Sequence, residues 1–257
     1  MKKTVDRKKK LLISNILLVI AAVLLVGGIV MLSSDMIRRY LREKKMDEAT
    51  AQMEQVIASN IESGDSLTDE PVMTLVVDVS ALEVNGEEDD YYDDEYYSQA
   101  YAQAADSVNG ELDGTNTGYI TLQGVGILDI PCIDLHVPIW ETTNSDTLRY
   151  GVGHYVNSVS PGSYGNCTIV GHHMLKYGSI FNRLEEVQIG DIINITDIRG
   201  HQYTYFVDEL LVVTAEEMMD YVGGGVSEDR QVTLITCVYT NEGKKRLLVI
   251  GHIQDGT

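Results

Sequence analysis

The chain opens on a continuous apolar run. Leu11 to Leu32, LLISNILLVIAAVLLVGGIVML, holds 22 residues without a charge, and only Ser14 and Asn15 are notably polar. At about 1.5 Å per residue a helix of that length spans the roughly 30 Å hydrocarbon core of a bilayer. The run exceeds the apolar region of a signal peptide and no A-x-A site follows, so it predicts an uncleaved signal anchor over 11–32. Residues 35–62 then lack Gly and Pro, while Met36, Tyr40, Leu41, Met53, Val56 and Ile57 recur at roughly helical spacing. This predicts a stalk helix over 33–62.

Beyond the stalk the periodicity fades. VMTLVVDVSALEV (72–84) can pair as a strand or stand as an apolar spot in a linker. The acidic, tyrosine-rich stretch after it is too poor in aliphatics to offset chain entropy by burial. Residues 63–118 therefore read as a flexible acidic linker. From Tyr119 the texture changes to short β-rich runs: GVGILDI, IDLHVPIW, NCTIVGH, GDIINIT, HQYTYFVDEL, QVTLITC and KRLLVIGHI. Turn residues separate them, and short helices are expected near SDTLRYG and AEEMMDY. Seven or eight strands in about 140 residues suggest a mainly β domain, barrel or sandwich, over 119–257.

Charge divides the chain as sharply. Residues 1–45 hold eleven Lys/Arg against Asp6, Asp35 and Glu43, a net of +8, while the whole chain is −20. The remainder therefore nets −28, and no Lys or Arg lies between Met46 and Leu148. Such a surface repels phosphate, which excludes nucleic acid as a partner. The basic flanks of the apolar run suit anionic membrane lipid. They are nearly balanced, so charge alone barely orients the anchor. With the N-terminus inside, a cytoplasmic tail of 1–10 remains and everything after about Ser33 is extracellular.

Three cysteines, Cys132, Cys167 and Cys237, show no metal-ligand spacing. Cys132 and Cys167 read as small buried apolar residues in strands, with a disulfide between them the lesser option. Cys237 differs. QVTLITC, the turn-like TNEG and RLLVIGHI read as a hairpin. If its loop is symmetric about Asn241–Glu242, Cys237 lies directly opposite Arg246 on one face. A cation beside a thiol favours the nucleophilic thiolate and can stabilise an adjacent oxyanion. The blander alternative is a buried cysteine with an arginine passing it. A third strand, NCTIV, ends in GHH, and a histidine there is a candidate general acid or base. His136, His154, His201 and His252 read as structural or exposed.

The order of these pieces resembles the sortase family of Gram-positive bacteria. GILDIPCIDLHVPI, GVGHYVNSVSPGSYGNCTIVGHH, FNRLEEVQIGDIINI, TLITC and KRLLVIG follow the family's order across about 119–253. The resemblance implies a closed eight-stranded β-barrel and a cysteine transpeptidase. It would cleave a sorting motif near the C-terminus of secreted proteins, through a thioacyl-enzyme on Cys237. By the same resemblance His172 is the general acid and base, and Arg246 positions substrate and stabilises the oxyanion. An amine of a peptidoglycan precursor or of another protein would accept the acyl group, with no metal or organic cofactor.

The sequence also departs from the family pattern. His173 follows His172 directly, and Cys132 stands where many relatives have Lys. The Asp-Pro-aromatic lid of the pilin-polymerising branch is missing from 46–118, which holds only Pro71, and so is that branch's C-terminal membrane segment. Wall-anchoring and specialised branches fit better. A cysteine peptidase that mainly hydrolyses the same acyl-enzyme, pilin-type ligation, and a non-catalytic surface adaptor are the competing readings.

Overall fold

The computed structural model describes residues 2–63, 73–78, 119–173, 180–223 and 227–254. A long helix, α1 (Lys2–Ser63), precedes nine strands. These are β1 (Met73–Asp78), β2 (Tyr119–Ile130), β3 (Leu135–Glu141), β4 (Val152–His154) and β5 (Gly165–Val170), then β6 (Ile192–Asp197), β7 (Gln202–Val213), β8 (Arg230–Thr240) and β9 (Gly243–His252). A one-turn helix, α2 (Ser145–Arg149), leads into β4, and a 3₁₀ turn covers Glu217–Tyr221. Both short helices lie where the sequence places them. The tyrosine-rich linker from 79 to 118 lies outside the described residues.

All nine strands belong to one sheet, ordered β1-β2-β3-β4-β5-β8-β9-β7-β6, with a further pairing of β2 to β6. That extra ladder, Gly126↔Asp197 to Asp129↔Asn194, gives each of β2 to β9 a partner on both edges. They are the eight strands expected after Tyr119. β1, which the sequence left open between strand and linker, pairs antiparallel with the first half of β2. Strand alternation sorts side chains into two sets. The main core holds Ile139, Val152, Cys167, Ile169, Val232, Leu234, Leu247 and Val249. The other face of the same strands holds Val170, Ile235, Leu248 and Ile250, covered by Leu148 of α2 and Met218 of the 3₁₀ turn.

Two compact units divide the chain, Met1–Arg42 and Glu43–Thr257. In the first, Leu17, Leu18, Val23, Leu24 and Leu25 are exposed. Among the described residues no helix is long and apolar enough to cross a membrane, so the structure does not support the anchor expected over 11–32. In the second unit the end of α1 is part of the fold rather than a free stalk. Ala49, Met53 and Ile57, four residues apart, are buried with Leu122, Ile127, Trp140, Tyr150 and Ile198. Asn60 Nδ2 donates to the Ile198 carbonyl at 2.7 Å, and Glu54 meets His136 at 3.1 Å. Gly200, at φ +88°, passes so close to Ile61 that a methyl group there would overlap it.

Candidate active site

The β8–β9 hairpin turns on Asn241–Glu242, and its ladder runs from Thr240↔Gly243 through Cys237↔Arg246 to Gln231↔His252. The two-residue loop fixes the register, so the sequence-level pairing of thiol and guanidinium holds without a bulge. Arg246 is 2% exposed and its Nη1 donates to the Lys245 carbonyl at 3.2 Å; Cys237 is half-buried. A guanidinium is costly to desolvate, so its burial beside a partly open thiol marks a site rather than a surface.

On its other edge β8 runs parallel to β5, with Val170↔Ile235 the last pair. The pairing continues past it: Gly171 N–H donates to the Ile235 carbonyl at 3.0 Å, and the Thr236 hydroxyl donates to the Gly171 carbonyl at 2.8 Å. Two residues beyond Val170 and two beyond Ile235, His172 just past the end of β5 and Cys237 within β8 therefore stand level on adjacent parallel segments. Alternation puts His172 with Val170, Cys237 with Ile235 and Arg246 with Leu248, all on the face covered by Leu148 and Met218. The histidine flanks the thiol on one side and the arginine on the other.

Sequence reasoning did not find what holds His172. Phe181 N–H donates to its carbonyl at 3.2 Å, and Phe181's ring packs so tightly on Gly171 that a methyl group there would overlap it. Ile180 pairs with His173 as an isolated bridge and is 3% exposed. Its φ of 46° lies in the left-handed region, an outlier for a β-branched residue that only the surrounding structure can impose. His173, the other half of the pair, faces Glu185 and Tyr239 at the border of the site. Its Nε2 lies 3.7 Å from Glu185, and its ring meets Tyr239 edge-on at 6.4 Å.

The remaining thiols are set apart. None of the three cysteines is in a disulfide, so the Cys132–Cys167 bridge is not formed. Cys132 is exposed rather than buried in a strand, because Pro131 ends β2 and opens a 3₁₀ turn over Pro131–Ile133. Partial burial of the sulfur and the nearby Asp191 carboxylate push this thiol up to about 11, which holds it protonated at neutral pH. Among the described residues no group of His, Cys, Asp or Glu is arranged to hold a metal ion.

One cluster imitates a hydrolytic triad without its chemistry. His154 Nδ1 lies 3.2 Å from Glu141, and its Nε2 lies 3.1 Å from Ser158 Oγ. Yet Nε2 also faces the Val159 carbonyl at 3.0 Å, an acceptor only, so Nε2 must carry a proton. The Ser158 hydroxyl meanwhile donates to the Tyr155 carbonyl at 2.7 Å and accepts Thr168 N–H at 3.0 Å. With hydrogen-bond acceptors at both nitrogens, His154 is an imidazolium. Burial alone would lower its pKa, but hydrogen bonds with Cys167 and Glu141 push it up to about 10. A structural role for His154 agrees with the sequence reading.

Comparison with known proteins bears on this geometry. The sortase domain family matches residues 128–254. Sortase D of Bacillus subtilis is 31% identical over 134 residues, covering 51% of this chain and 64% of that protein. A shorter relative in the same species, YwpE, also carries the sortase name; it is 30% identical over 94 residues, covering 35% of this chain and 85% of its own length. The solved sortase A of Listeria monocytogenes is 27% identical, covers 51% of this chain and 88% of that one, and superposes with a TM-score of 0.46. This chain spans less than two thirds of Sortase D, so the likeness concerns the strand-rich region and not the whole of that protein.

Proposed function

Since this chain belongs to the sortase family, we propose that it is a membrane-anchored cysteine transpeptidase acting on a sorting motif of secreted proteins. The observation that carries this is the convergence of three side chains on β8: Arg246 opposite Cys237 on one edge, His172 level with it on the other. Cys237 Sγ attacks the scissile carbonyl, the C–N bond breaks, and a thioester forms. His172 gives its proton to the leaving amine and later takes one from the incoming amine. Arg246 stabilises the negative charge on the carbonyl oxygen in both steps. The acceptor is an amine of a cell-wall precursor or of another protein.

For the tether, the support is the 22-residue run Leu11–Leu32 and the exposure of its apolar side chains at Leu17, Leu18, Val23, Leu24 and Leu25. An apolar run whose described side chains are so exposed suits lipid better than water. Anchored with residues 1–10 in the cytoplasm, the chain displays Glu43–Thr257 outside the cell.

The test is a peptide-library assay on the full chain in detergent micelles, read by mass spectrometry with and without an added amine. Amine-capped products support transfer; free carboxylic acids alone indicate a peptidase instead. Cys237→Ala abolishes both while circular dichroism is retained. Full cleavage by Cys237→Ala would remove the thiol from the mechanism.

A further inference from the structure

We propose that His173, Glu185 and Tyr239 form the subsite that selects the incoming amine, favouring acceptors with a second cationic or N–H-bearing group. This rests on the transpeptidase reading and names a part of the same site. The geometry begins with the two edges of β8. Arg246 occupies the β9 edge of Cys237, and His172 the β5 edge. The proton of the attacking amine must pass to His172, so the amine approaches the thioester from the β5 edge.

What lines that edge next is His173, held by the bridge to Ile180. Its Nε2 is 3.7 Å from the Glu185 carboxylate, and the side chains are 28% and 55% exposed, so both are reachable. Tyr239 lies two residues past Cys237 on the same face of β8, is 53% exposed, and meets the His173 ring at 6.4 Å. A carboxylate and a tyrosine ring on either side of His173 suit a cationic or N–H-bearing chain: the rings cover its apolar part and Glu185 takes its donor. The corresponding position on the β9 edge is Lys244, opposite Tyr239, which repels a cation. The step balances without a co-reactant. The thioester C–S bond breaks, the amide C–N bond forms, the amine proton goes to His172, and the thiolate of Cys237 leaves.

The experiment loads the full chain with a simple aliphatic acyl thioester, confirms the adduct on Cys237 by mass spectrometry, and then offers L-lysinamide and L-norleucinamide, matched in their α-amine, in competition. The wild type is expected to favour lysinamide about tenfold, the worth of one charge-assisted hydrogen bond. Glu185→Gln brings the product ratio close to parity, and His173→Gln lowers it. Glu185 is exposed and His173 half-buried, so circular dichroism is used to check that both variants keep the fold. A ratio unchanged in both variants, with the adduct still formed, overturns the subsite alone. Failure of the wild type to form the adduct overturns the transferase reading and the subsite with it.

Discussion

Cys237 and Arg246 are cross-strand neighbours, set opposite each other by a two-residue turn, with the cation almost wholly buried and the thiol half open. A planar guanidinium can offer a carbonyl oxygen paired donors, which a lysine ammonium cannot reproduce. Arg246→Lys is expected to lower kcat/KM for acyl transfer about a hundredfold, comparable to losing an oxyanion donor. Kinetics with the library-derived peptide decide it, and a loss under twofold would mean that the charge alone suffices.

Thr236 is expected to act as a positioning residue. Its hydroxyl, 2% exposed, holds the Gly171 carbonyl at 2.8 Å and so fixes His172 beside Cys237. Thr236→Val keeps the shape and removes the bond, costing about 1 kcal/mol of stability. The expected signature is a fall in kcat with KM for the acyl donor little changed, restored by Thr236→Ser. Equal stability loss with unchanged kcat would make the bond purely structural.

Stability is expected to fall on the alkaline side because of His154. Its folded pKa of about 10 is raised above the ordinary 6.5. Below pH 6.5 both states hold the proton and the full contribution is present. Between 6.5 and 10 only the folded state keeps it, so unfolding becomes easier as pH rises and the contribution is gone above the folded value. Melting temperature from pH 6 to 10 should drop more steeply in the wild type than in His154→Gln. Parallel slopes would contradict a charged His154.

The end of α1 should behave as core. Met53 is 0% exposed within the cluster of Leu122, Ile127 and Trp140. Met53→Ala is expected to cost about 2–5 kcal/mol in urea unfolding of the chain, by lost burial and the cavity left behind. Gln52→Ala, on the exposed side of the same helix, is the control and should change little. Equal midpoints for the two variants would return this segment to the role of a free stalk.

What could be read from the sequence follows the range of each interaction. The Cys237–Arg246 pair was legible because a symmetric loop fixes a hairpin register locally. The approach of His172 was not, since β5 and β8 are parallel strands far apart in the chain, and only the family resemblance brought it in. The packing of Ala49, Met53 and Ile57 escaped for another reason: their spacing suits a stalk and a docked helix equally well. Cys132 was misplaced because Pro131 converts the end of an apolar run into a turn. His154 was rightly set aside, but its partners Glu141 and Cys167 lie on other strands and left no local pattern.

The two edges of β8 also differ in when they can form. The antiparallel ladder to β9 spans a two-residue loop, whereas the parallel ladder to β5 joins residues some 65 positions apart. Local hairpins close in about 1–10 μs, and distant pairings wait on the entropy of long loops. During folding, the thiol and its cation therefore meet well before the histidine arrives. A half-folded chain carries the thiol and its cation before the histidine stands beside them. Pulsed hydrogen exchange should show protection at the Val249 and Leu247 amides before that at Ile169.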